Sequence, residues 1–202
     1  MIETSLFLYI IIVFSAVIHE YSHGWMAYSL GDSTAKDAGR LTLNPLAHVD
    51  PIGTVILPLF LLLTSGAFLG WAKPVPYNPY NLKDKKYGSL KVALAGPVSN
   101  LILAIIFGLA ARFLFSASIP TAFIQALALI TYVNIFLGLF NLLPVPPLDG
   151  SKIVADLFPD QWRAFLKTGF IGIIIAIFLA MTILQPIASF IFNLIVGKNF
   201  II

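Results

Sequence analysis

The five residues from His19 to His23, HEYSH, could bind a metal ion within an otherwise apolar stretch of the chain. Two histidines four positions apart lie on one face of a helix, so both imidazoles can reach the same ion. Glu20 lies beside them, where its carboxylate can take a proton from a water that the metal activates. This H-E-x-x-H spacing is typical of zinc hydrolases. The alternative is a polar bridge between helices, which is disfavoured because ionisable side chains at membrane depth usually serve a function.

A zinc hydrolase needs a third protein ligand and one open coordination position. Asp149, in the segment PVPPLDG, is the only acid associated with the long apolar run before it. His48 and Asp50 are nearer in sequence to the histidine pair, but they belong to a polar loop. We favour Asp149, because an acid at membrane depth needs a partner or a task. His48 could then act as a gate or a temporary fourth ligand, or it could simply bond the loop backbone.

The composition is that of an integral membrane protein. Of the 202 residues, 59% are hydrophobic and 10% are charged, whereas roughly a quarter of a soluble domain is charged. The net charge of +3 suits anionic lipid headgroups better than nucleic acid. The chain contains no cysteine, which excludes thiolate ligands and disulfides. A lipid bilayer is therefore a predicted partner, and nucleic acid is not; nothing indicates the oligomeric state.

The apolar runs predict an all-α polytopic membrane protein with about four transmembrane helices. These helices are expected over residues 4–30, 92–116, 121–143 and 165–184, with a break at Pro186 and a short apolar segment over 187–197. Residues 52–70 are apolar too, but they contain one proline and three glycines. We expect this segment to be re-entrant, because the chain order then brings His19 and Asp149 to the same side of the membrane.

Two segments between the first helices predict a small membrane-associated β element. GRLTLNP (39–45) alternates between apolar and polar residues, as a short strand does. WAKPVPYNPY (71–80) contains three prolines and is an edge strand at most. Such edges could hold an extended substrate peptide. The alternative is that both segments are only packed loops.

Three motifs occur in order along the chain: HEYSH, AGPVSN (95–100) and NLLPVPPLDG (141–150). Together they resemble the site-2 protease family of intramembrane zinc metalloproteases, over roughly residues 10–155. The segment NPLAHVDPIGT (44–54) is similar to that of a short prokaryotic branch without PDZ or CBS domains. The resemblance implies a single membrane-embedded metalloprotease domain over 1–202, with a catalytic core at about 4–155 and C-terminal helices at 165–197.

The resemblance also implies the roles of the site residues. His19, His23 and Asp149 would bind Zn²⁺, Glu20 would be the general base, and Asn141 would assist at the active site. The alternative for Asn141 is an interhelical hydrogen bond.

The implied activity is hydrolysis of peptide bonds in or near transmembrane segments, with a transmembrane protein or peptide as substrate. A non-catalytic zinc-binding or metal-carrier membrane protein is the alternative. Such a protein would not require Glu20, so the presence of this residue favours the enzyme.

The resemblance implies a multi-pass protein of a prokaryotic cell membrane, and the charge distribution predicts that its active site lies towards the cytoplasm. The loops at 31–51, 71–91 and 144–167 carry 10 of the 12 lysines and arginines. Cytoplasmic loops of membrane proteins are enriched in these residues.

Overall fold

A computed structural model describes residues 2–65, 70–115, 119–167 and 169–197 of the chain. These residues form α-helices, short 3-10 and π-helical turns and irregular segments. The chain divides into two units, Met1–Gly88 and Ser89–Ile202. The α-helices are α1 (Ile2–Ser29), α2 (Thr34–Asp37), α3 (Leu57–Ser65), α4 (Gly88–Leu114), α5 (Thr121–Asn141), α6 (Asp149–Leu157), α7 (Pro159–Leu166) and α8 (Gly169–Val196).

Within the described residues, three helices are long and apolar enough to cross a membrane: Ser5–Ser29, Gly88–Leu114 and Thr121–Asn141. They match three of the four predicted spans to within a few residues. The prediction of a helical membrane protein is therefore confirmed, whereas the number of spans stays a prediction.

In the first unit, the chain leaves α1 through Gly31, whose φ of 103° lies in the left-handed region that favours glycine. The next residue, Asp32, is fully buried. Its carboxylate accepts hydrogen bonds from four donors: the backbone N–H and hydroxyl of Thr34, the N–H of Asn78 and the amide of Asn81. Burial by itself raises the pKa of Asp32, but these bonds outweigh that effect and hold the pKa below its usual value. Asp32 thereby ties residues 78–81 to the end of α1.

The predicted re-entrant segment has its two ends side by side. The N–H of Trp71 donates to the carbonyl of Gly53 over 3.1 Å, and the hydroxyl of Thr54 donates to the carbonyl of Trp71 over 2.9 Å. The indole leaves no room at residue 53, since a Cβ there would lie 2.2 Å from the ring. Gly53 therefore permits the close approach of the two ends. Between them, a π-helical turn (Pro51–Ile56) leads into α3; residues 66–69 of the predicted segment lie outside the described residues.

The predicted β element is wrong: the structure forms no strand at 39–45 or 71–80. The two segments are joined by isolated bonds instead of a ladder. Arg40 donates from its guanidinium to the carbonyl of Lys73 over 2.6 Å, and the N–H of Lys73 donates to the carbonyl of His48 over 2.9 Å. The alternation stops at Pro45, which begins a 3-10 helix (Pro45–His48), and the prolines of 71–80 lack the N–H groups that a ladder needs.

In the second unit, α4 and α5 contain a buried amide pair. Asn100 donates to the side-chain oxygen of Asn134 over 2.9 Å, and both side chains are fully buried. Gly138 lies close to Leu101 and to the carbonyl of Pro97, so this glycine allows the two helices to approach closely. Asn100, the last residue of the AGPVSN motif, therefore joins two helices.

The predicted helix break at Pro186 is wrong, because α8 continues through this proline to Val196. Proline removes one backbone hydrogen bond, a loss that transmembrane helices tolerate. After this proline, α8 packs against α5 and contributes Ala188, Phe192 and Val196 to the buried core of this unit. Leu184, just before the proline, is buried as well. Arg112 of α4 also donates to the carbonyls of Leu194 and Ile195 at the end of α8. These contacts carry the helix beyond the expected boundary.

The stretch predicted as a polar loop between α5 and the last apolar run contains two helices, α6 and α7. The helix α6 begins at Asp149, directly after the proline-rich turn. It is the element that positions Asp149.

Candidate metal centre

The two histidines of HEYSH face each other from successive turns of α1. Their Nε2 atoms lie 3.0 Å apart, and the ring planes are nearly perpendicular. Both residues are 7% exposed. The predicted pair on one helix face is therefore present, with its two Nε2 atoms in contact.

This arrangement fits a zinc ion. Zn–N bonds of about 2.0–2.1 Å in a tetrahedral site separate two ligand nitrogens by about 3.3 Å. The observed Nε2–Nε2 distance is 3.0 Å, so the rings must open by only about 0.3 Å to admit the ion. Imidazole nitrogens are also among the ligands that zinc prefers.

Glu20 is fixed by a backbone group from a distant part of the same unit. Its Oε2 accepts a hydrogen bond from the N–H of Val75 over 2.7 Å. In the part of the chain that the structure describes, the other oxygen of this carboxylate accepts no hydrogen bond. One oxygen is thus held in place, and the other can receive a proton.

Asp149 lies in the second unit, as the first residue of α6, and is 5% exposed. Its Oδ1 accepts a hydrogen bond from the Nζ of Lys152, one turn later, over 2.9 Å. The following Gly150 packs directly on the end of α5, where an added Cβ would lie 2.2 Å from the carbonyl oxygen of Leu142. Only glycine at position 150 allows the start of α6 to lie this close to the end of α5. The buried carboxylate of Asp149 is placed by this contact.

Asn141 is the last residue of α5. Its side-chain Nδ2 donates to the carbonyl of Leu137, one turn earlier in the same helix, over 3.0 Å. The interhelical bond that was the alternative for Asn141 is not among the contacts of the described residues. The second N–H of the amide stays available, so a role at the reacting carbonyl stays a prediction.

The comparisons with known proteins identify the family. The sequence matches the family model of peptidase family M50 over residues 7–127 and 115–185. The chain belongs to this family. This confirms the resemblance to the site-2 proteases that the three motifs indicated.

Curated relatives of this M50 chain carry related names. In Bacillus subtilis (strain 168), "Putative zinc metalloprotease YwhC" is 43% identical over 78% of this chain and 72% of its own length. In Mycolicibacterium smegmatis, "Putative zinc metalloprotease Rip2" is 31% identical over 83% of this chain and 64% of its own length. "Zinc metalloprotease MJ0392" of Methanocaldococcus jannaschii is 25% identical over 80% of this chain and 37% of its own length. These names agree with the predicted cofactor, zinc. No solved structure matches the chain.

Two loop residues that were weighed as metal ligands have other contacts in this M50 chain. His48 is 1% exposed, and its Nε2 donates to the carbonyl of Thr42 over 2.8 Å, as a histidine that bonds the loop backbone would. Its Nδ1 is buried and has no hydrogen-bond partner among the residues that the structure describes. The carboxylate of Asp50 accepts from the N–H groups of Ile52 and Gly53 at the start of the π-helical turn. Asp50 is therefore a helix cap, and the role of His48 stays a prediction.

Val75 is a site residue of the M50 chain that sequence reasoning missed. It lies between Pro74 and Pro76, so it carries the only backbone N–H in these three residues. Because Val75 has no reactive side chain, only its place between two prolines could have drawn attention to it.

Proposed function

We propose that this protein is an intramembrane zinc metalloprotease that cleaves peptide bonds in or near transmembrane segments of other membrane proteins. The observation that carries the proposal is the 3.0 Å approach of the His19 and His23 Nε2 atoms on a helix of membrane-spanning length, with Glu20 between them. Membership of the M50 family and the zinc metalloprotease names of the relatives support it.

The proposed zinc ligands are the two histidines and Asp149. Asp149 is supported by its chemistry: it is a buried carboxylate at a fixed helix start, and carboxylate oxygen is a zinc ligand alongside imidazole nitrogen in known sites. Two neutral imidazoles and one carboxylate would leave a net charge of about +1 at a bound zinc ion, and three protein ligands would leave room for a water. Zinc, when bound, supplies Lewis-acid activation of the attacking water and of the scissile carbonyl.

The remaining steps fall to residues of this chain. Glu20 takes a proton from the attacking water through its unbonded oxygen, as the water oxygen forms a bond to the carbonyl carbon. Asn141 donates its second amide N–H to the carbonyl oxygen, where negative charge develops. Glu20 then passes the proton to the leaving nitrogen, the C–N bond breaks, and a carboxylate and an amine are formed.

The proposed topology puts the centre near the cytoplasmic face of a prokaryotic cell membrane. His19 follows Ser5 by fourteen residues on α1, about 21 Å at 1.5 Å per residue, so the histidines lie towards the far end of this span. Asp149 likewise follows the end of α5. If residues 52–70 enter and return on one side, the order of the spans along the chain puts the ends of α1 and α5 on the same side of the membrane. The adjoining ends of that segment, Gly53 and Trp71, support this.

Cleavage in reconstituted vesicles tests the proposal. The purified chain is combined with a transmembrane substrate peptide, and the products are identified by mass spectrometry. We expect a cut within or next to the apolar segment that stops when a chelator removes the metal and resumes when zinc is restored. A chain that binds zinc stoichiometrically yet cleaves no transmembrane substrate would instead favour the metal-carrier alternative.

A further inference from the structure

Residues 71–83, here called the strap, contact α1 and the residues just after it at several points along the chain. The N–H of Val75 bonds the carboxylate of Glu20, and Asn78 donates its N–H to Asp32 just after the helix. Beyond them, the N–H of Lys83 donates to the carbonyl of Leu30 over 2.8 Å. The strap therefore passes Glu20 as it follows the direction of α1.

The strap is held on both sides of Val75. Before it, the backbone of Lys73 bonds Arg40 and His48, and that of Trp71 bonds Gly53 and Thr54. After it, Asp32 holds Asn78 and Asn81. Active-site lids are drawn from the least stable parts of a fold, where few hydrogen bonds must break for the segment to open. Bonds on both flanks instead indicate a fixed segment.

The Val75 side chain is seated against α1 as closely as its backbone is. Val75 is 8% exposed. A Cβ added at Gly24, next to His23, would lie 3.0 Å from the Val75 Cγ1. The lack of a side chain at Gly24 therefore lets Val75 lie close enough to α1 for its N–H to reach Glu20. Pro74 and Pro76 restrict the backbone on both sides of Val75.

From these contacts we propose that the backbone N–H of Val75 is a positioning group for Glu20, and that the strap stays in place during turnover. The inference rests on the proposed protease function. By occupying one carboxylate oxygen, the N–H turns the other towards the place where water is deprotonated. Glu20 then needs no reorientation at each cycle, and such preorganisation raises kcat more than it lowers KM.

A cross-link tests where the strap lies without relying on activity. The chain has no native cysteine, so Gly24→Cys with Val75→Cys introduces the only two thiols. From the 3.0 Å contact, their Cβ atoms lie at most about 4.5 Å apart, within the range of disulfides. We expect oxidation to form the disulfide and turnover to be similar before and after oxidation. Failure to cross-link, or turnover that is lost on oxidation and restored by reduction, would overturn the proposal that the strap stays in place.

A pair of single variants tests the positioning itself. Val75→Pro removes the N–H, whereas Val75→Ala keeps it and measures the loss of the side chain alone. We expect Val75→Pro to lower kcat by about 10- to 100-fold relative to Val75→Ala, as for the loss of one hydrogen bond to a charged group, with KM and zinc content nearly equal. Equal kcat values in the two variants would overturn the inference. If the unaltered chain cleaves no substrate, the protease function fails, while the cross-link still decides the place of the strap.

Discussion

Gly150 offers a quantitative test of how Asp149 is positioned. In Gly150→Ala, the new Cβ would lie 2.2 Å from the carbonyl oxygen of Leu142 and 2.4 Å from that of Leu143. Ordinary contacts begin at 3.4 Å, so the first of these distances is short by 1.2 Å. The obstructing atoms are backbone, so no side-chain rotation relieves the clash. The start of α6 must therefore move by about 1 Å, several times the ±0.2 Å within which metal–ligand distances are held.

The expected result is a weaker zinc site with slower turnover. We expect zinc affinity to fall by about 10- to 100-fold, as for the loss of a group that orients a ligand. Turnover at saturating zinc should fall by about 100-fold, since a misplacement of about 1 Å can cost that much. Chelator competition followed by mass spectrometry of bound metal gives the affinity, and vesicle cleavage gives the rate.

A matched control separates this effect from the general cost of replacing glycine. Gly39→Ala makes the same chemical change at a residue with a φ of 65°, where no atom of the described residues lies within 4 Å of the new Cβ. It should cost about 1 kcal/mol of stability through backbone strain while leaving zinc affinity unchanged. If Gly150→Ala binds zinc and cleaves substrate as Gly39→Ala does, the proposed positioning of Asp149 by this glycine is refuted.

Three further substitutions separate effects on catalysis from effects on the stability of the fold. Asn141→Ala should keep its zinc but cleave about 100-fold more slowly, the loss typical of one donor to a developing oxyanion; unchanged kcat would contradict that role. His48→Ala should retain full zinc and melt at a lower temperature, because the carbonyl of Thr42 loses a buried donor; loss of zinc would favour the fourth-ligand role. Asp32→Asn should lower the melting temperature at pH 7, and the difference from the unaltered chain should shrink as the pH falls below the usual pKa of 3.8. The reason is that the folded pKa of Asp32 is depressed, so the stabilisation from its charge is lost as the pH falls from 3.8 through the folded pKa. A difference that stays constant down to pH 3 would show that the charge of Asp32 contributes nothing.

The long helices and the histidine pair could be predicted because their signals are local. Apolar runs of membrane-spanning length and a spacing of four residues do not depend on what lies elsewhere in the chain. The boundary at Pro186 could not be predicted in this way. Whether a helix continues through proline depends on the packing of Ala188 and Phe192 in the core, which the local pattern does not contain.

The segments between α1 and α4 were harder, because their structure depends on contacts between residues distant in sequence. The alternation at 39–45 suggested a strand, yet Arg40 bonds the carbonyl of Lys73 through its side chain, and no ladder forms. Val75 was missed for a related reason. Its function resides in a backbone N–H, which every residue except proline possesses, so the residue type gives no signal.

The central claim, that HEYSH is a zinc centre with Glu20 as its base, is tested most directly by measuring zinc per chain beside substrate cleavage in two variants. Glu20→Gln should keep one zinc and lose cleavage by at least about 100-fold, because only proton transfer is removed. His23→Ala should lose the zinc itself, because one of three ligands is gone. Cleavage at the normal rate by Glu20→Gln, or one zinc per chain in His23→Ala, would contradict the account.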